Sequence, residues 1–120
     1  MVQRGAASLV RGQVILPREA GPLRDARVSV LLEDVSLADA PAVIVGRQVQ
    51  EHVELPGGGA AIPFEVRAPP ADPGASYSVR VHVDLDGDGE VRPGDNVSTT
   101  SYPVRTRGHP AEAVVEVRLV

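Results

Sequence analysis

The clearest pattern in the chain is the alternation of apolar and polar residues over residues 77–85. Tyrosine, valine and leucine occupy every second position there, and serine, arginine, histidine and aspartate lie between them. Because successive side chains of a β-strand point to opposite faces, this pattern predicts a strand with one buried face. Other segments repeat the pattern less regularly. The seven predicted strands are residues 8–16, 26–35, 43–53, 62–66, 77–85, 97–105 and 113–120.

Turns rich in glycine and proline separate these segments, and no segment has a helical period. Short strands with one apolar side each predict an all-β fold, a seven-stranded antiparallel β-sandwich of the immunoglobulin-like or transthyretin-like kind. Residues 43–53 carry Arg47 and Glu51 on the same side as their valines, which predicts a sheet edge or a bulge. The residues expected to point inward are Val10, Val14, Leu16, Val28, Val30, Leu32, Val45, Val49, Val53, Ile62, Phe64, Val66, Tyr77, Val79, Val81, Val83, Leu85, Val115, Val117 and Leu119.

Length and composition narrow the class of protein. A chain of 120 residues fits one domain, predicted at residues 8–120 after a disordered or flexible N-terminus at residues 1–7. There is no cysteine, which excludes thiolate metal sites and thiol catalysis. A net charge of -4 and few aromatic residues argue against nucleic-acid binding. No apolar run predicts a membrane span or a signal peptide, so the sequence leaves the compartment open.

Residues 84–95 have the composition of a cation site. Asp84, Asp86 and Asp88 occupy positions 1, 3 and 5 of a twelve-residue loop, Glu90 offers its backbone carbonyl at position 7, and Asp95 is at position 12. This is the spacing of an EF-hand calcium loop, here joining two strands. The sequence predicts Ca²⁺, with Mg²⁺ as the alternative because position 12 is the shorter aspartate.

Two details complete the prediction for this loop. The alternation over residues 77–85 places Asp84 on the solvent face, with Gly89 allowing the sharp turn that follows. The alternative interpretation is an Asp-Gly-rich hairpin turn that binds nothing.

The histidines do not form a catalytic pattern. His52, His82 and His109 are separated in sequence, and no nucleophile elbow, HExxH motif or phosphate-cradling loop accompanies them. His82 is two residues from Asp84, a spacing that suits a metal ligand, but the simpler interpretation is a solvated strand residue. We therefore predict that the protein is not an enzyme.

Several blocks resemble a known family. The block LLEDVSLADAPA at residues 31–42 resembles the signature of the YbaY-type lipoproteins, which are related to pilotin-like chaperones of type III secretion systems. Further blocks of the resemblance are RGQV at residues 11–14, IPFEV at 62–66, YSVRV at 77–81 and YPVRTRG at 102–108. The resemblance implies a small antiparallel sandwich in the bacterial cell envelope, with an adaptor role and no catalytic residues. The chain departs from the family in lacking a lipobox cysteine and in carrying the acidic loop.

Two functions follow. The first is a non-enzymatic calcium-binding β-sandwich module, a structural or protein-binding domain of the bacterial cell envelope. The alternative is a secretion pilotin or chaperone-like adaptor that acts through a sheet edge, with the loop only a turn. The expected partner is an envelope or secretion-system protein, and the chain is expected to be a monomer or an edge-strand dimer. By resemblance, the compartment is the periplasm or cell envelope.

Overall fold

The computed structural model describes residues 8–120, which form nine β-strands and no helix. The predicted flexible N-terminus at residues 1–7 lies outside the described residues. The strands are β1 Ser8–Ile15, β2 Leu23–Asp34, β3 Val43–Leu55, β4 Ala61–Ala68, β5 Tyr77–Asp84, β6 Asn96–Val97, β7 Pro103–Val104, β8 Glu112–Glu116 and β9 Arg118–Leu119.

The strands form two sheets that enclose one core, which confirms the predicted all-β sandwich. The small sheet has the order β4-β1-β8, and the large sheet has the order β3-β2-β5-β6-β9, with β7 also pairing with β5. All ladders are antiparallel except that between β1 and β8, which is parallel. The predicted last strand accounts for this exception. It divides at Val117, so that β8 pairs with β1 in the small sheet and β9 pairs with β6 in the large one.

The core is built mainly from valine. Alternate residues of both sheets point into it, as the alternation predicted, and they pack as small branched side chains. Leu85 and Leu119 depart from the prediction, with 38% and 47% of their surface exposed. Leu85 follows the last residue of β5, and Leu119 belongs to a strand of only two residues. The buried residues that had been expected inside are Val10, Val14, Leu16, Val28, Val30, Leu32, Ile62, Phe64, Val66, Tyr77, Val79, Val81, Val83, Val115 and Val117.

Gly12 lies at the centre of the small sheet, where a larger residue does not fit. It is paired with Phe64 on one side and Ala113 on the other. A Cβ atom at this position would be 1.7 Å from the backbone oxygen of Ala113. Only glycine therefore permits this spacing of the three strands.

The predicted sixth strand, residues 97–105, is interrupted. Its two ends form β6 and β7, and residues 98–102 between them leave the ladder. Ser98 replaces the missing strand contact, since its Oγ accepts a 2.9 Å hydrogen bond from the backbone N–H of Val81. Ser78 Oγ likewise accepts a 3.0 Å bond from the backbone N–H of Tyr102. Serine side chains thus satisfy backbone groups that a regular strand would have paired.

The third strand, β3, is both at a sheet edge and irregular, as predicted. Its ladder with β2 shifts register at three places, one of them between Leu32 and Glu33. His52 has a positive φ of 56° within this strand. The shifts change which face each valine occupies, so that Val45 and Val53 pack against the core while Val49 is 43% exposed. The expectation that Val49 points inward was therefore wrong.

Candidate functional site

The acidic loop connects β5 to β6 at one end of the large sheet. Asp84 is the last residue of β5, and Asp95 immediately precedes β6. Gly89 has a φ of +81°, which glycine adopts readily and other residues rarely do. The sharp turn expected at Gly89 is therefore present.

Asp84 is buried, which corrects the expectation that it lies on the solvent face. Only 1% of its surface is exposed. One oxygen of its carboxylate, Oδ1, accepts hydrogen bonds from the backbone N–H groups of Asp86 at 3.1 Å and Gly87 at 2.9 Å, and Oδ2 accepts one from Gly89 at 2.8 Å. The loop folds around this carboxylate because a buried charge must be hydrogen-bonded.

Asp95 has the same role at the other end of the loop. It is 1% exposed, and its carboxylate accepts backbone N–H bonds from Leu85 at 3.0 Å and Arg92 at 3.1 Å. His82 Nε2 lies 2.8 Å from its Oδ2. Burial raises the pKa of the Asp95 carboxyl, but the hydrogen bonds from His82, Leu85 and Arg92 outweigh burial and lower that pKa below its ordinary value. Asp95 is therefore ionised at neutral pH.

His82, Asp84 and Asp95 come together although they are separated in sequence. Each offers a ligand atom, and these atoms lie within 4.8 Å of one another. His82 had been interpreted as a solvated strand residue, but its side chain is only 17% exposed. The signal that could have found this contact was the position of His82 and Asp84 on the same face of one strand.

The other predicted ligands lie apart from this group. Asp86, Asp88 and Glu90 are exposed, and none of them joins the group of three. Asp88 is paired with Arg92, whose guanidinium holds the pKa of the Asp88 carboxyl below its usual value, assisted by the backbone N–H of Glu90. The arginine at position 9, which offers no metal ligand, thus neutralises one of the acids. Ion binding by this loop stays a prediction.

The block of residues 31–42 connects two turns of the sandwich. Asp34 accepts a 2.9 Å hydrogen bond from the backbone N–H of Ser36, and Ser36 Oγ accepts a 3.0 Å bond from the backbone N–H of Ser76. Glu33 is buried and pairs with Arg80 at 3.1 Å. Glu33, Asp34 and Ser36 therefore have structural partners within the fold.

A second candidate site is the outer face of the large sheet, away from the core. Across β5, β2 and β3, Arg80, Leu31 and Arg47 are adjacent in one row. Ile44 and Val49 of β3 flank this row, and 45% and 43% of their surfaces are exposed. We call these five residues the Leu31 face. Sequence reasoning missed it, although Leu31 is apolar at a position that the alternation of β2 assigns to the polar side.

A groove continues this face beyond β5. It has a volume of about 570 Å³, and its lining includes Arg80, His82, Val35 and Val91. The interrupted segment of residues 98–101 forms one side of it and supplies serine and threonine side chains. The groove thus extends the Leu31 face with a mainly apolar lining that also carries hydroxyl groups.

The outer face of the small sheet has a different character. In its central row Arg11 lies between Glu65 and Glu112. Arg11 pairs with Glu65 at 3.1 Å, and both side chains are largely exposed. The arginine of this row is therefore paired within the sheet, and the row as a whole is acidic.

Comparison with known proteins identifies the family. The family model for YscW, described as a type III secretion system lipoprotein chaperone, matches residues 6–117. The chain belongs to this family. The relation to secretion chaperones is confirmed, whereas the YbaY-type assignment and the calcium loop are not.

The fold of the YscW-family chain also occurs in a solved structure. The alternative pilotin from the type II secretion system of Vibrio cholerae is similar, with a TM-score of 0.76 and 24% sequence identity, covering 95% of this chain and 97% of that one. No curated protein matches the chain. Within residues 8–120 the chain has no helix that is both long and apolar enough to cross a membrane.

Proposed function

We propose that this protein is a pilotin-like chaperone, a non-enzymatic module that binds a protein of a bacterial secretion system at the cell envelope. The observation that carries the proposal is the match of the lipoprotein-chaperone family model to residues 6–117, which include nearly the whole of both sheets. The similar fold of the type II pilotin supports the same architecture. No step of this role needs a catalytic residue.

The two edges of the small sheet are poorly suited to binding an added strand. Strand β4 borders the small sheet, but Gln48 of β3 accepts the backbone N–H of Glu65 at 3.0 Å, and Gln50 donates to the backbone oxygen of Pro63 at 2.9 Å. On the opposite border, the Tyr102 hydroxyl both donates to and accepts from the backbone of Glu116, each at 3.1 Å. Backbone groups that an added strand would need are therefore already occupied there.

Pairwise binding tests this function. The chain is purified with each outer-membrane and periplasmic component of a type II or type III secretion apparatus, one at a time, and each mixture is analysed by size-exclusion chromatography with light scattering and by calorimetry. We expect a stable complex of defined stoichiometry with one component. If no component forms a complex, the proposed function is wrong.

A second candidate function is cation binding by residues 84–95. The observation that favours it is the approach of Asp84 and Asp95 from the two ends of the loop to within 4.8 Å of His82. Calcium prefers oxygen ligands, so the two carboxylates would bind Ca²⁺ or Mg²⁺, with Asp86, Asp88 and Glu90 adding ligands only if the loop rearranges. A cation would also offset the repulsion between two buried carboxylates.

Thermal melting with CaCl₂, MgCl₂ or chelator tests the cation. A ligand that binds only the folded state stabilises it by about 2.7 kcal/mol at one hundred times its dissociation constant. We expect the midpoint to rise with Ca²⁺, and to rise less in Asp84→Asn than in Asp88→Asn, an exposed control with the same charge change. Identical midpoints with ion and chelator, and no heat of binding, would rule out cation binding.

A further inference from the structure

We propose that the Leu31 face is the surface on which the chaperone docks its partner, and that it takes a segment whose apolar side chains are flanked by carboxylates. This inference rests on the proposed chaperone function and adds the place and the chemistry of binding. It follows from two properties of the face, its exposed apolar residues and its arginines.

The apolar residues of the Leu31 face are not explained by folding. The core lies on the other side of the sheet, so the outer side of an antiparallel sandwich is ordinarily polar. Here Ile44 and Val49 are 45% and 43% exposed beside the half-buried Leu31. Exposed apolar residues gathered on one face are typical of a protein-binding surface.

The arginines define the charge of the segment that would bind. Arg47 is exposed and has no ion-pair partner within residues 8–120. Arg80 is 61% exposed and uses one nitrogen to pair with Glu33, which leaves other N–H groups of its guanidinium free. The chain as a whole carries a net charge of -4, whereas the two arginines beside Leu31 are positively charged. Guanidinium groups beside apolar surface suit carboxylates on the partner.

The groove indicates that the docked segment runs across β5, from the Leu31 face towards residues 98–101. It begins at Arg80 and continues past β5 to the serine and threonine side chains of residues 98–101. A segment that crosses the Leu31 face can therefore extend into it and find hydroxyl groups for its own polar atoms. The outer face of the small sheet differs in charge, because its central row is Glu112, Arg11 and Glu65.

Matched variants on the two faces test the site. Arg47→Glu reverses the free charge on the Leu31 face, and Arg67→Glu makes the same change at an exposed arginine on the small sheet. Val49→Thr and Val114→Thr form a second pair, one on each face. Each replaces a methyl group of an exposed strand residue with a hydroxyl group and keeps nearly the same side-chain shape. Circular dichroism and melting identify any variant that fails to fold, and Arg47→Gln then replaces Arg47→Glu.

The probes are overlapping synthetic peptides that span the secretion component bound by the wild-type chain, with affinities measured by fluorescence anisotropy. We expect one acidic, apolar peptide to bind, Arg47→Glu to weaken it about tenfold or more, and Val49→Thr to weaken it less. The small-sheet variants are expected to bind like the wild type. Replacing the glutamates of the peptide with glutamine is expected to weaken binding to the wild type and to leave Arg47→Glu unchanged.

Three results would overturn the proposal. Binding that is unchanged in Arg47→Glu and Val49→Thr, or weakened only in the small-sheet variants, places the partner elsewhere and leaves the chaperone function intact. If the same variants instead lose binding to vesicles containing phosphatidylglycerol while peptide binding is unaffected, the face contacts lipid. If the wild-type chain binds no secretion component at all, the proposed function itself fails.

Discussion

The two outer faces of this sandwich are built by the same alternation of residues, yet they differ in the charged and apolar residues of their central rows. In the small sheet, the central row places Arg11 between two glutamates, and Arg11 forms an ion pair with one of them, Glu65. In the large sheet, the corresponding row places Leu31 between two arginines. The inner faces of both sheets are rich in valine and contribute to one core. The two sheets therefore differ mainly in their outer faces.

The largest effect on stability is expected at Gly12, in the centre of the small sheet. Gly12→Ala places a Cβ atom 1.7 Å from the backbone oxygen of Ala113, so we expect the free energy of unfolding to fall by about 3 kcal/mol or more. Urea denaturation measures the change. The control is Gly21→Ala, since nothing lies within 4 Å of a Cβ atom there. Equal stability of the two variants would contradict the tight spacing around Gly12.

A smaller effect is expected at the loop end of the large sheet. Asp84→Ala removes the acceptor of three backbone N–H groups, and we expect a loss of about 2–3 kcal/mol in the free energy of unfolding, measured by denaturation without divalent cations. Asp86→Ala removes an exposed carboxylate with the same charge and serves as the control. If the two variants lose equal stability, the buried carboxylate does not organise the loop.

Acidification tests the same end of the sheet through Asp95. Its pKa is lower in the folded protein than in the unfolded chain, so its contribution to stability is complete above the unfolded pKa of about 3.9 and is lost as the pH falls towards the lower folded pKa. We expect the melting temperature of the wild type to fall more steeply below about pH 4 than that of Asp95→Asn. Asp39→Asn, in an exposed turn, is the control and is expected to follow the wild type. Parallel curves for all three proteins would show that Asp95 has no such role.

The smallest effect is expected in the small-sheet row itself. Arg11→Ala breaks an ion pair whose side chains are 62% and 45% exposed, and such pairs contribute less than about 1 kcal/mol. We expect nearly unchanged stability by urea denaturation at low and at high salt. A loss of about 2 kcal/mol or more in the free energy of unfolding would mean that this exposed ion pair stabilises the fold.

The sequence predicted the buried half of this molecule better than its exposed half. Alternation alone identified the inward residues of β1, β2, β4 and β5, since burial depends on a period that can be read along one strand. The row of Arg80, Leu31 and Arg47 could not be predicted in this way, because it combines three strands whose register depends on a shift between Leu32 and Glu33.

The loop was predicted only in part for a related reason. The spacing of its acids is correct for a calcium loop, but spacing does not reveal which carboxylates the backbone will use. The carboxylates of Asp84 and Asp95 accept hydrogen bonds from backbone N–H groups of the loop. Asp88 forms an ion pair with Arg92. The burial of Asp84 could not be predicted from alternation. Alternation places Asp84 on the side of β5 that faces away from the core, and the loop that follows covers this side.

The parallel pairing of β1 with β8 determines how the molecule would respond to a mechanical pull. Both strands run from the end near Ser8 towards the end near Val120, and five residue pairs join them from Arg11–Glu112 to Ile15–Glu116. A force that pulls Ser8 and Val120 apart would load these hydrogen bonds together, in shear, instead of opening them one after another. The fold would therefore resist tension that is applied along β1 and β8.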